Sequence, residues 1–154
     1  MERADASRVI VAGIILLIAL YLVFAFFTEE SQNPKYITRF NVTKSFTKNE
    51  FEVNFSLANE KKEYVTANGT ATLRIVNSNG EEVYNKAFSV TKDDFKDYIL
   101  TLNDAQIKAF YMTIPSTEIS KGSSTTGTAY LSLSLENEAV PSFEIDTEVY
   151  GLET

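Results

Sequence analysis

The sequence predicts an all-β domain, an antiparallel β-sandwich of about seven or eight short strands, preceded by one N-terminal transmembrane helix. Three observations carry this reading. One uncharged apolar run occupies Val9 to Phe27. Beyond residue 36, apolar residues recur at every second position, the period of a strand with one buried face. Turn-forming residues then interrupt those segments at the spacing of sandwich strands.

The apolar run, VIVAGIILLIALYLVFAFF, covers about 28 Å as a helix, close to the hydrocarbon thickness of a bilayer. A core helix of that length would carry a polar face, and this run has none. A cleaved secretory signal has a shorter apolar region and a small-x-small site, whereas this run ends FAFFTEE. A pilin-type cut before the run, MERADA|SRVIV, lacks the usual glycine and the acid five residues on. The run therefore reads as an uncleaved signal-anchor. Arg3 and Arg8 precede it; Glu29 and Glu30 follow, then Lys35, Arg39 and Lys44. The nearest flanking cation, Arg8, puts the N-terminus inside and the rest of the chain outside the cytoplasm. The expected organisation is a cytoplasmic segment 1–8, a membrane helix 9–27, a polar stem 28–35 and a sandwich 36–154.

Each strand has its own signature. YITRFNVT opens the domain. In FEVNFSL, Phe51, Val53, Phe55 and Leu57 share one face and Glu52, Asn54 and Ser56 the other. GTATLRIVNSNGEEVYNKAFSV places Ala71, Leu73 and Ile75 before Asn79-Gly80 and Val83 to Val90 after it. This is a hairpin, and Asn-Gly suits a type I′ turn. DYILTL puts Tyr98, Leu100 and Leu102 on one face, and AFYMTI is a further strand. GTAYLSLSLEN aligns Ala129, Leu131, Leu133 and Leu135, leaving Tyr130 with Ser132 and Ser134. SFEIDTEVYG aligns Phe143, Ile145, Thr147 and Val149. PSTEISKG reads as a turn begun by Pro115 plus one helical turn, and KGSSTTGT as a flexible loop.

This order of strands, Asn-Gly hairpin, TIPSTEISKG crossover and TAYLSLSL resembles immunoglobulin-like and fibronectin-III-like modules. It resembles the exported sandwich domains of uncharacterised single-pass archaeal membrane proteins. The resemblance covers about 115 residues and implies a fold, not an activity.

Composition excludes much chemistry. The chain has no cysteine, histidine or tryptophan, and its formal net charge is −7. Disulfides, thiolate-bound metals and imidazole bases are therefore absent, and an acidic surface is a poor match for nucleic acid. Ser-x-x-Lys occurs at Ser45–Lys48 and Ser89–Lys92. A helix is what brings such a lysine beneath its serine, and both copies sit at strand ends. Asp93, Asp94, Asp97 and Asp104 cluster without a calcium-loop pattern, and Lys92 and Lys96 interleave with the first three. Paired carboxylates would need a deep sugar cleft, which a small sandwich does not offer. The sequence thus points to no catalytic set, no metal and no cofactor.

Three Asn-x-Ser/Thr sequons, at Asn41, Asn54 and Asn68, are candidate glycosylation sites. The aromatics Tyr84, Phe110, Tyr111 and Tyr130 are candidates for a contact surface. Phe110 and Tyr111 are adjacent, so in a strand one of them faces outward. The function expected is a non-enzymatic envelope scaffold or protein-interaction module, held in the lipid bilayer through Val9 to Phe27. Two alternatives stand beside it. One is a subunit of a pilus-like or secretion machine, resembling the archaellum stator proteins. The other is a ligand-sensing accessory domain, which requires a concave pocket.

Overall fold

The computed structural model describes residues 11–24, 33–100, 105–120, 122–136 and 143–152. It divides into two units, 1–33 and 34–154. In the first, residues 11–24 form helix α1, about 21 Å long. Every side chain of α1 is exposed, and its large apolar residues lie on all sides of the helix. No helix among the described residues is long and apolar enough to cross a membrane. Residues 9, 10 and 25–27, which complete the nineteen-residue apolar run, lie outside the described residues, as do most of the expected stem.

The second unit is a pair of packed antiparallel sheets. Its strands are β1 (Tyr36–Lys44), β2 (Glu50–Ala58), β3 (Tyr64–Val65), β4 (Gly69–Asn77), β5 (Glu82–Val90), β6 (Phe95–Leu100), β7 (Ala105–Pro115), β8 (Thr126–Leu135) and β9 (Phe143–Tyr150). One sheet has the order β1-β2-β7-β6, with β3 also on β2. The other has the order β5-β4-β8-β9. Edge strands β1 and β9 meet along one side of the sandwich, where Lys44 Nζ donates to the Gly151 carbonyl at 2.8 Å. The domain begins slightly before the expected boundary. Pro34 is buried, and Lys35 N already donates to Ala58 O.

The alternation read from the sequence fills the space between the sheets. Phe51, Val53, Phe55 and Leu57 of β2 are fully buried, as are Ala71, Leu73 and Ile75 of β4 and Ala129 and Leu131 of β8. Four phenylalanines lock the sheets together. Phe110 lies 5.0 Å from Phe55 and stacks on Phe88 of the opposite sheet at 5.6 Å, and Phe95 meets both Phe55 and Phe110 edge-on. Such pairs add to simple area burial because edge and face carry opposite partial charge. The expected phase of β6 is corrected here. Phe95 is the inward residue, and Tyr98 faces out at 63% exposure.

Two hairpin loops share one device. In Asn59–Glu63 and Asn77–Glu81, a buried asparagine begins the loop and a glutamate four residues on ends it. The asparagine Oδ1 accepts the glutamate's backbone N–H at 2.9 Å in both. Its Nδ2 donates to the glutamate carboxylate, at 2.8 Å for Glu63 and 2.6 Å for Glu81. The fourth residue of each loop is left-handed, Lys62 at φ 63° and Gly80 at φ 84°. The hairpin at Asn79-Gly80 is therefore real, but its turn is not type I′, since Asn79 does not have positive φ. The loop expected to be flexible is tied to this turn. Ser123 donates to Glu81 through N and Oγ, Asn79 Nδ2 donates to Ser123 Oγ, and Ser78 bonds Ser124. Gly122 has to be glycine, because a Cβ there would lie 2.5 Å from Asn77 Nδ2.

Asn77→Ala removes the buried acceptor of two backbone N–H groups, and we expect it to cost about 1–3 kcal/mol. Gly80→Ala costs about 1 kcal/mol, the left-handed penalty of a residue with Cβ. Lys62→Gly relieves that same penalty and is neutral or stabilising. Denaturant unfolding followed by circular dichroism checks all three; a Gly80→Ala protein as stable as the parent contradicts the turn assignment.

Candidate functional site

Among the described residues, a cavity of about 530 Å³ lies beside Phe46 and Tyr150, and one of about 260 Å³ lies along β8 and β9. A groove of about 300 Å³ on the outer face of β1-β2-β7-β6 gathers side chains of greater chemical variety, among them Arg39, Glu52, Tyr98 and Tyr111. Strand register explains how it forms. Across the sheet, Asn41 faces Asn54, which faces Tyr111. One row along, Thr38 faces Ser56 and Ala109 faces Lys96. The next row pairs Ile107 with Tyr98. Small residues, Ser56 and Ala109, thus make a floor between two rows of larger ones. Ile107 and Tyr111 stand four residues apart on β7, so the walls are about 13 Å apart between Cα atoms. The groove runs across the strands.

A β-bulge closes one side. The β1–β2 register shifts between Thr38 and Asn41, so Arg39 and Phe40 together oppose the single residue Phe55. Phe40 turns into the core, and Arg39 is left on the outer face with φ 53°. A non-glycine residue in that region costs about 1–2 kcal/mol, and such strain concentrates at binding sites. The Arg39 Nε donates to the Tyr64 hydroxyl at 2.9 Å, which swings the guanidinium along the groove wall.

The groove carries two further physical signals. Ser56 is fully buried at the floor, and its hydroxyl has no hydrogen-bond partner among the described residues. Leaving a buried hydroxyl unpaired is costly, and it marks a place where a ligand oxygen or a water gains a bond. Tyr111 is half exposed, and its pKa is raised. The first cause is partial burial on the sheet; the second is the Glu52 carboxylate, which repels the phenolate and accepts the phenol's hydrogen bond.

The aromatics proposed as a contact surface separate. Tyr111 faces outward into the groove, and Phe110 belongs to the core. Tyr84 is also buried, with the exposed Lys86 5.8 Å from its ring centre, so neither Phe110 nor Tyr84 offers a surface. Tyr130 lies on the outer face of the other sheet, half buried, with the Arg74 guanidinium 4.5 Å from its ring centre. The sequons separate too. Asn41 and Asn68 are exposed. Asn54 is half buried in the groove, and its sequon hydroxyl is the buried Ser56.

The other constellations have structural roles. Lys48 N bonds Ser45 Oγ at 3.3 Å within the β1–β2 loop, and Ser89 lies on β5, so neither Ser-x-x-Lys pair is helical. Asp94 accepts from Thr91 N and Oγ1, each at 2.8 Å, which lowers its pKa. Asp97 pairs with Lys108 at 2.9 Å. Asp104 lies outside the described residues. Among those residues no cluster of acids is placed to hold a metal.

Sequence reasoning missed Arg39, Ser56 and Tyr98. A signal for the first existed: apolar Ile37, Phe40 and Val42 depart from period two by one residue, which is what a bulge leaves behind. The fold and groove define a two-sheet β-sandwich with a polar, tyrosine-lined face. Compared with known proteins, the chain matches no family model, no curated protein and no solved structure.

The Tyr111 environment is testable by pH titration of tyrosine absorbance, with Tyr111→Phe as the reference. Glu52→Gln should move the Tyr111 transition back toward the ordinary value of 10.0, without reaching it because partial burial remains. Folded Tyr111 keeps its proton longer than in the unfolded chain. It therefore supports the fold below pH 10 and loses that contribution as pH rises through its folded pKa. Tyr111→Phe should lose less stability over that window than the parent.

Proposed function

We propose that this chain is a single-pass membrane protein whose immunoglobulin-like domain stands outside the cytoplasm and acts by binding, without catalysis, as an envelope scaffold or interaction module. The observation that carries the anchor is α1. Its apolar side chains point in every direction and all of them are exposed, the arrangement a helix adopts for lipid rather than for a protein core. Arg8 before the apolar run and Glu29 and Glu30 after it favour the outward orientation.

The immunoglobulin-like assignment is supported by topology. Taking β1, β2, β4, β5, β6, β7, β8 and β9 as strands A, B, C, C′, D, E, F and G, the sheets become A-B-E-D and C′-C-F-G. A binding role is supported by the groove, where the unpaired, buried Ser56 hydroxyl lies beside two exposed rings, while Ser45, Asp94 and Asp97 are engaged in a turn, a cap and an ion pair.

Protease treatment of intact cells bearing a C-terminally tagged chain tests the placement. Release of the tagged domain without lysis is the expected result, and protection until lysis overturns the outward orientation. In a host that attaches glycans to sequons, the mass of the released fragment should fall with Asn41→Gln or Asn68→Gln and stay constant with Asn54→Gln. A glycan on Asn54 contradicts its placement in the groove.

A further inference from the structure

The geometry points to a carbohydrate-binding site in the groove of β1-β2-β7-β6, built for a pyranose ring that carries a carboxylate. This deepens the binding role proposed above but does not depend on which side of a membrane the domain faces.

The argument starts from what the groove exposes. Tyr98 is 63% exposed and Tyr111 52% exposed, and they stand on opposite walls above a floor of Ser56 and Ala109. Solvent-exposed tyrosines on a rigid sheet are suited to the flat C–H faces of a sugar, since a ring face offers an apolar surface with negative partial charge to those hydrogens. Both rings stand on sheet strands, so binding need not order a loop. The groove volume of about 300 Å³ lies at the small end of ligand sites and suits one or two sugar rings rather than a folded protein surface.

The polar groups fit a hydroxyl-rich ligand. Glu52 and Asn54 at one end offer acceptors and donors for ring hydroxyls, and the buried Ser56 hydroxyl lacks a partner. At the other side, the Arg39 guanidinium uses Nε on Tyr64, and among the described residues its two terminal nitrogens have no acceptor. A planar fork with free donors recognises a carboxylate in bidentate fashion. Lys96 lines the groove from β6, at the opposite edge of the sheet from Arg39 on β1, and its ammonium donates to the Asp93 carbonyl at 2.6 Å. Arg39 is thus the cation at the β1 side of the groove, and Glu52 is the one acid among the lining residues. An acidic sugar places its carboxylate at Arg39 and its ring over the floor of Ser56 and Ala109, between the two tyrosines. The strained backbone at Arg39 is explained by the same requirement, because the bulge is what brings its side chain to the outer face.

The test is calorimetric titration of the full chain in detergent micelles with two tetrasaccharides. One alternates glucuronic acid and N-acetylglucosamine; the other is cellotetraose, its neutral counterpart. We expect saturable binding of the acidic tetrasaccharide with Kd on the order of 0.1–1 mM, and at least about tenfold weaker binding of the neutral one. Tyr98→Ala and Tyr111→Ala should each weaken binding by about tenfold, because they remove a stacking face without touching the core. Arg39→Gln, which removes the positive charge, should erase the preference for the acidic ligand, and Tyr150→Ala, an exposed tyrosine outside the groove, should change nothing. Circular dichroism on every variant separates lost binding from lost fold. Folded protein that binds neither ligand at about 10 mM overturns the site, as does binding that survives both tyrosine substitutions. Equal affinity for the two ligands overturns the carboxylate assignment.

Discussion

Strand β2 is the constraint on which the rest of the structure depends. Its odd residues from Phe51 to Leu57 are fully buried between the sheets, and its even residues, Glu52, Asn54 and Ser56, line the outer groove. It pairs with β1 on one side and with β7 and β3 on the other, so it fixes the register of the whole sheet. A slip of one residue would expose two phenylalanines and bury a glutamate. The cost of that exchange is several kcal/mol, enough to make the register unique. Core and site are therefore one decision: the alternation that seats Phe55 against Phe110 also aims Ser56 and Asn54 outward.

The parts of the fold that follow from period-two burial were legible in the sequence. They include β2, β4, β8, the Asn79-Gly80 hairpin and the opposed directions of Phe110 and Tyr111, though not which of the two faces outward. Features that depend on neighbours in space were not. Tyr98 looks inward by its own strand's alternation, yet β6 is an edge strand and its inner position goes to Phe95, which the Phe55–Phe110 pair receives. The two-residue strand β3 has no pattern to display. Ser56 looks like an ordinary outward hydroxyl; only its packing between β1 and β7 buries it. The loop after Gly122 carries flexible-looking composition, but Glu81, held by Asn77, captures it. That carboxylate's pKa is lowered, first by Asn77 and then by Ser123, so the attachment belongs to the ionised form and weakens as pH falls through the folded pKa.

The open edges of the sheets are guarded by charge. β5 ends one sheet, and the exposed Lys86 is paired there with Glu118 at 2.6 Å. β6 ends the other and carries the Asp97–Lys108 pair. Exposed ion pairs of this kind add little to stability. Their effect is on association, because a strand from another chain would have to desolvate them to extend the sheet. The remaining edges, β1 and β9, cover one another. Such a domain can present a sheet face to a ligand without offering its edges to other copies.

The groove crosses the middle of its sheet, at residues 52–56 of β2 and 107–111 of β7. A long polymer lying across the strands fits such a place, because it needs clearance only above a sheet face and each successive sugar can leave the groove over an edge strand. One end of the sandwich differs: the fully exposed Phe46 and the exposed Tyr150 border a separate cavity of about 530 Å³ beside β1 and Gly151. The groove combines rings with charged and hydroxyl groups across four strands, whereas that end sets two uncovered rings beside the single cation Lys44, so the two places suit different classes of ligand.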